Sequence, residues 1–443
     1  MPSPVSLQKN NISEALQKLV KKPHAISRQN KATVSGRIAF QHLDFRYYWF
    51  ARVLSRFGTE MLNATVLWQM WMLTKDPFDL GLIGLAQFAP FFLLFLLSGV
   101  AADQFQRKHI IALCLGGMSI AASGLFLITI TGTDNRLSIL AILIFVGTSR
   151  AFQAPALHAI IPVLVPKEHF ANAIAWSSLA GQTAKIGGPA LMSGLLLIGI
   201  EIVYGVVVLL FLTSAFLATQ LKTNTQIITK EPVTLELLFG GLKFIWSRQI
   251  IFGAIGLDLF AVLLGGATAL LPIYATEILN VGEVGYGSLR MAMMIGAFTC
   301  MLWLTQKPIN RSGGRILICT VVVFGVGVIV FGLSTVFWAS LLALFVMGAS
   351  DSVSVFIRNL LVQSVTPDEM RGRVTAVSSV FIGASNEIGE FESGITAAWW
   401  GVVPAVVVGG VGTVLIAALF ATLLPQLRGV DNLNPVDLAR KYR

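Results

Sequence analysis

Residues 166–189 read PKEHFANAIAWSSLAGQTAKIGGP, and residues 367–390 read PDEMRGRVTAVSSVFIGASNEIGE. Laid over one another at an offset of 201 positions without a gap, they share Pro166/Pro367, Glu168/Glu369, Ala175/Ala376, Ser177/Ser378, Ser178/Ser379 and Gly188/Gly389. A spacing close to half of a 443-residue chain points to a duplicated unit. Long apolar runs flank both blocks, so each half carries the same kind of segment at the same place.

Composition says what those segments are. The chain is 55% hydrophobic and 12% charged, with a mean hydropathy of +0.76, against roughly 25% charged residues in soluble domains. This is the composition of an integral membrane protein. A bilayer-spanning helix needs about 20 apolar residues, and twelve such runs occur: 47–73, 79–102, 109–131, 137–161, 170–198, 201–221, 249–279, 284–305, 314–334, 337–362, 374–400 and 402–425. The repeat blocks open the fifth and eleventh. The expected architecture is therefore all-α: a basic tail (1–43), a first six-helix bundle (44–221), a central linker (222–248), a second six-helix bundle (249–425) and a C-terminal tail (426–443).

Of the 32 Lys and Arg residues, 24 fall in the two tails and in the loops on the tail side, and two, Lys75 and Arg136, in loops on the other side. Under the positive-inside rule this places both termini in the cytoplasm. It also makes the net charge of +10 a matter of topology and anionic lipid contact rather than nucleic-acid binding. No apolar core followed by a small-residue cleavage site precedes the first span, so no cleavable signal peptide is expected. A short interfacial helix is one reading of ISEALQKLV (12–20), and a disordered basic tail the other. Cys114, Cys300 and Cys319 lie in apolar runs and read as packing residues. The five histidines are dispersed, which predicts no metal site, and no Walker-type phosphate loop suggests a fused ATPase.

Charges inside spans are costly and usually face a cavity or a partner. Six cations (Arg52, Arg56, Arg150, Lys185, Arg290, Arg358) and six acids (Glu60, Asp258, Asp351, Glu387, Glu390, Glu392) lie there. Arg52, Arg56 and Glu60 recur every fourth residue and form one stripe, in which Arg56 and Glu60 can neutralise each other. Arg150 and Asp351 occupy equivalent positions in the two halves, which suggests a pair across a central cavity. Arg358 shares a face with Asp351, since seven residues make nearly two turns. On the eleventh span Asn386, Glu387 and Glu390 fall on one polar face, with Glu392 roughly opposite. Glu387 and Glu390 are expected to face the cavity as proton or substrate ligands, and Glu392 to make a structural contact. Trp49, Trp68 and Trp71 fit either an aromatic cavity wall or the membrane-interface belt.

Two parallel six-helix halves resemble the major facilitator transporters, whose substrate site lies near the midplane between them. GVAADQFQRK (99–108) resembles the loop between spans two and three of that superfamily: Gly99, Asp103, Arg107 and Lys108 match its cytoplasmic gate, while Gln104 and Gln106 depart from it. RAFQA (150–154) resembles its fourth-span Arg-x-x-Gln-Gly pattern, with Ala154 in the last place. GQTAKIGGPALMSG (181–194) partly matches its antiporter pattern, with Met192-Ser193 where Gly-Gly is expected. TPDEMRGRVTAVSSVFIGASNEIGEFESG (366–394) and GGVGT (409–413) resemble the branch that contains the enterobactin exporter and related efflux permeases. The resemblance runs over about residues 43–425.

It implies a monomeric secondary transporter, not an enzyme, in a bacterial inner membrane. The expected activity is outward movement of a siderophore or similar amphipathic, anionic small molecule by alternating access, driven without a cofactor by proton antiport. An importer of such a compound, or a non-transporting receptor on the same scaffold, remains the alternative. The residues expected to bind substrate or couple protons are Arg52, Arg56, Glu60, Arg150, Lys185, Asp258, Asp351, Arg358, Asn386, Glu387 and Glu390.

Overall fold

The computed structural model describes residues 37–223, 235–307, 309 and 311–442; the helix suggested for residues 12–20, and the middle of the central linker, lie outside the described residues. The first half comprises α1 (Leu43–Thr74), α2 (Pro77–Gln104), α3 (Arg107–Ile130), α4 (Arg136–Leu164), α5 (Phe170–Leu196) and α6 (Ile200–Thr219). A short helix, α7 (Leu235–Ser247), lies within the linker. The second half comprises α8 (Gln249–Leu264) with an irregular continuation to Ile278, then α9 (Gly282–Gln306), α10 (Gly313–Leu333), α11 (Phe337–Val365), α12 (Asp368–Trp400) and α13 (Val402–Leu423), before a terminal α14 (Pro435–Tyr442). The chain is thus a multi-pass, all-α membrane protein with six long helical segments in each half.

Local chemistry sets the helix boundaries. Asp76 caps α2 by accepting from the Phe78 N–H at 2.9 Å, with Pro77 in the first turn. Asn135 caps α4 through the Ser138 N–H at 3.0 Å. The repeat blocks begin at matching points, since Pro166 opens the short turn that leads into α5 and Pro367 precedes α12.

Among the described residues nine helical segments are long and apolar enough to cross a bilayer. The three long helices that fall short are α1, α5 and α12. They are the helices that carry Arg52, Arg56, Glu60, Lys185, Asn386, Glu387, Glu390 and Glu392. Each packs against other long helices, α1 on α5 and α6, α5 on α9, and α12 on α2 and α8. Neighbouring helices, rather than lipid alone, surround their polar faces.

The seventh apolar run is not the continuous helix 249–279 that its composition predicts. It breaks at Gly265 and Gly266 and continues as a 3₁₀ turn (Ala267–Leu270), a short α segment (Leu271–Ile273) and a π turn (Tyr274–Ile278). Gly265 allows the break: a Cβ there would lie 2.8 Å from the Ala261 carbonyl oxygen and closer still to the Phe324 ring.

The duplication is visible in the packing. In the first half α2 pairs with α4, α3 with α6 and α1 with α6; in the second, α9 pairs with α11, α10 with α13 and α8 with α13. Between the halves, the extensive contacts are α2 on α12 and α5 on α9, the same two positions exchanged. They lie toward the end of the bundle away from the chain's tails, the far end. At the tail end each half is tied within itself. Asp44, in the first turn of α1, accepts hydrogen bonds from the Lys222 and Thr223 N–H groups and from the Thr223 hydroxyl. Burial opposes its charge, but these bonds and the nearby Lys108 ammonium outweigh burial and hold its carboxyl below the usual aspartate range. After α13, the Asp431 and Val430 carbonyls accept from Ser312 (2.5 Å) and Gly314 (3.0 Å) at the start of α10.

Candidate functional site

Glycines set the distance between the halves. A Cβ at Gly84 of α2 would lie 2.9 Å from the Glu387 carbonyl oxygen and 3.3 Å from the Glu390 Cβ; one at Gly81 would lie 2.9 Å from the Phe391 carbonyl oxygen. The absent side chains let α2 and α12 meet backbone to backbone. The same device at Gly147 brings α4 against the Gln87 backbone of α2. Arg150, one turn further along α4, consequently donates from Nη1 to Gln87 Oε1 at 2.6 Å while its Nη2 lies 3.6 Å from Glu387 Oε1. One guanidinium therefore connects α4 and α2 of the first half to α12 of the second.

The pairing expected from the repeat is different, Arg150 with Asp351, and the structure corrects it. Equivalent positions in the two halves need not meet. The close α2–α12 crossing presents Glu387 to Arg150, whereas Asp351 lies within reach of the charge of Lys185 on α5. Glu60 and Arg56, which share a stripe on α1, act on one another through their charges, but among the described residues no ion pair within 4.0 Å joins them. Glu60 also lines a central cavity together with Lys185, Pro189, Thr268, Leu271, Arg290, Met293 and Met294. The cavity draws on both halves, and Thr268 and Leu271 come from the irregular stretch after α8.

Arg290 is the charged cavity residue that the candidate set from the sequence omits. Its Nη1 donates to the Tyr286 hydroxyl at 3.2 Å, and that hydroxyl donates to the Ala64 carbonyl at 3.0 Å across the halves. Glu60 and Glu390 are the carboxylates whose charges act on it. Glu390 in turn feels Glu387, Arg290 and Arg150. A signal was present in the sequence, an arginine inside a span, but nothing there distinguished it from a lipid-edge residue. Gln87, a lone amide in an apolar run and 5% exposed, offered less.

The other expected site residues divide into groups. Arg52 is held against α5, donating to the Tyr48 hydroxyl (3.2 Å) and the Ser177 carbonyl (3.4 Å). Asn386 donates to Ile382 of its own helix at 2.8 Å. Arg358 and Asp258 form an ion pair within the second half, 3% and 6% exposed, away from the cavity-lining set. Glu392 makes no side-chain hydrogen bond or ion pair among the described residues, where a structural contact is expected. Of the proposed gate, Lys108 donates to the Leu221 carbonyl at the end of α6 at 2.9 Å and Arg107 is buried. The side chain of Asp103 lies outside the described residues.

At the far end the two halves are latched. Trp71 Nε1 donates to Thr276 Oγ1 at 2.7 Å, Lys75 pairs with Glu277 at 3.1 Å, Ser193 Oγ donates to the Glu283 carbonyl at 3.0 Å, and Trp68 stacks on Tyr286 with ring centres 5.3 Å apart. Trp68 and Trp71, each 5% exposed, are therefore joints between the halves rather than a membrane-interface belt. The central cavity lies on the tail side of this layer.

Residues 35–441 match the family described as transmembrane secretion effector. The chain is 26% identical over 403 residues to the enterobactin exporter EntS of Citrobacter koseri, covering 89% of this chain and 95% of that protein. It is 25% identical over 402 residues to EntS of Salmonella paratyphi A, covering 89% and 96%. Among solved structures, a bacterial homolog of the human lysosomal transporter Spinster, inward-facing and occupied, superposes with a TM-score of 0.68 at 14% identity, covering 88% of this chain and 97% of that one. A D-xylose–proton symporter superposes at 0.67 with 12% identity, covering 89% and 99%. A family match over nearly the whole chain and a shared twelve-helix fold agree with the duplicated halves and the charged cavity between them: the protein belongs to the transmembrane secretion effector family of major facilitator transporters.

Proposed function

We propose that the protein exports a small anionic or amphipathic molecule of the siderophore class across a bacterial inner membrane, by proton antiport and as a monomer. The observation that carries this reading is the charge cluster between the halves, with Arg150 paired to Glu387, in a chain whose near-full-length relatives include enterobactin exporters. Arg290 and Lys185 line the cavity and Arg150 adjoins it, supplying cations from both halves to a carboxylate-rich or polyhydroxylated ligand. The positive-inside distribution supports a cytoplasmic tail end. On that orientation the far-end latch closes the outer face.

Coupling follows from where Glu387 sits. Its backbone forms the α2–α12 closure and its carboxylate holds Arg150. An anionic substrate entering from the tail side competes with the Glu387 carboxylate for Arg150 and removes the charge-assisted part of a contact that keeps the far end shut, which favours an outward-open state in which the Gly99–Lys108 segment closes the tail end. Glu387 takes a proton from the outer side as the substrate leaves, and gives it up to the tail side once the far end has closed again and Arg150 is free to take the carboxylate, so one proton enters for each substrate exported. Purified protein in proteoliposomes with an imposed pH gradient tests this directly: efflux-direction movement of a catecholate siderophore that rises with the gradient is expected. Movement independent of the gradient would sink the coupling, and no movement of any siderophore would sink the substrate class.

A further inference from the structure

A second polar enclosure lies inside the second half, apart from the central cavity. Asp258, Ala261 and Val262 of α8, Thr320, Val321 and Phe324 of α10, and Ser350, Asp351 and Ser354 of α11 surround it. Their oxygens are two carboxylates and three hydroxyls, the hard donor set that alkali and alkaline-earth ions take. No three His, Cys, Asp or Glu side chains converge here or elsewhere among the described residues, so the set does not suit a transition metal. Its free space matches an ion or a water, not an organic molecule.

Two features indicate that something occupies it. Ser354 is 4% exposed, and its Oγ is buried without a hydrogen-bond partner. A helical serine ordinarily bonds back to a carbonyl of its own helix, as Ser385 does to Ile382 at 3.0 Å; Ser354 does not, and a buried hydroxyl left unsatisfied is costly. The charges also fail to cancel. Asp258 is paired to Arg358, which leaves Asp351 as the enclosure's uncompensated carboxylate, with Lys185 of the other half as the cation whose charge acts on it. Thr320 spends its proton on the Leu317 carbonyl at 2.9 Å and so presents lone pairs only.

We infer that this enclosure binds a monovalent cation of sodium size, held by Asp351, Asp258 and the hydroxyls of Ser350, Ser354 and Thr320. One positive charge balances the net charge of Asp258, Asp351 and Arg358, whereas a divalent ion would overshoot it. Because Asp351 also faces the charge of Lys185, an ion here competes with Lys185 for that carboxylate and biases how the second half meets α5.

The test is binding, so it is independent of cargo and direction. Purified wild-type protein is titrated with NaCl, KCl or choline chloride at constant ionic strength, following the thermal unfolding midpoint, and bound radioactive sodium is counted in parallel. A ligand that binds only the folded state raises its stability in a saturable way. Sodium is expected to raise the midpoint saturably and beyond potassium or choline. Asp351→Asn is expected to abolish the effect, and Ser354→Ala to weaken the half-saturating sodium concentration by about tenfold. Equal responses to all three salts, no bound sodium, or an unchanged sodium response in Ser354→Ala would overturn the assignment. If Asp351→Asn fails to fold, the sodium counts on wild type and Ser354→Ala still decide it. Neither result bears on siderophore export, which has its own flux assay.

Discussion

Arg150 and Glu387, from different halves of a duplicated chain, approach to 3.6 Å at the point where α2 and α12 touch backbone to backbone. The same guanidinium is anchored to Gln87 at 2.6 Å, so its position is set by the first half and its charge is used by the second. The pair is part-exposed, at 33% and 21%, which leaves it within reach of substrate and water.

Glu387→Gln keeps the shape of the side chain and removes its charge. Because glutamine can neither carry the proton nor form the 3.6 Å ion pair with Arg150, the change is expected to lower gradient-driven flux by roughly 10-fold or more and to flatten its pH dependence. Arg150→Lys should reproduce the loss, because an ammonium cannot serve Gln87 and Glu387 with the same fork. Proteoliposome flux across a pH series checks both, and normal flux at every pH in Glu387→Gln would remove Glu387 from the mechanism.

Gly84→Ala places a methyl against the Glu387 carbonyl. Overpacking of this kind costs about 1–3 kcal/mol, and here the cost falls only on the far-end-closed state. The variant is expected to populate the far-end-open state more, measured as a longer spin-label distance between α2 and α12 at their far ends. An unchanged distance distribution would show that the closure tolerates the methyl.

The Lys75–Glu277 pair is half-exposed on both sides, and such pairs contribute about 0–1 kcal/mol. Single alanine substitutions should therefore change flux by less than about fivefold. Bridging Lys75→Cys to Glu277→Cys with a short cleavable thiol reagent, after replacement of Cys114, Cys300 and Cys319, should arrest transport until the bridge is cut.

Asp258 and Arg358 are buried together, and removing one partner strands the other. Arg358→Met alone is expected to destabilise the fold by about 3–5 kcal/mol, with much of that recovered when Asp258 is made apolar as well. Thermal unfolding of the purified variants in choline chloride tests the pairing without interference from a bound ion.

Asp44 predicts a pH response at the tail end. Its folded-state carboxyl titrates below the ordinary aspartate value, so its contribution is full above the unfolded value of about 3.9 and disappears as the pH falls through the depressed one. Asp44→Asn should lower the unfolding midpoint at neutral pH, and the gap to wild type should close in acid below that window.

Much of the fold was legible in one dimension. Apolar run length gave the spans because a bilayer demands about 20 residues per helix, and the offset of 201 exposed the duplication before any coordinates. Part of the site was marked too, since α1, α5 and α12 are the long helices too polar to qualify as spans on composition; α1 and α5 line the cavity and α12 carries Glu387, whereas α9, which supplies Arg290, reads as an ordinary span. The break at Gly265–Gly266 was hidden because glycine is common in spanning helices, and only its contact with Ala261 and Phe324 makes it a break.

The sequence by itself determined the twelve helical segments, their division into two like halves and which helices carry charge, because these follow from hydration cost along the chain. Tertiary structure alone decided who pairs with whom. Arg150 meets Glu387 rather than Asp351, and Glu60 lines a cavity shared with Arg290. The first outcome rests on helix crossings set by missing side chains at Gly81, Gly84 and Gly147, and the second on the close approach of Gly188 of α5 to Glu60; a distance of closest approach between two helices is not a property of either sequence alone.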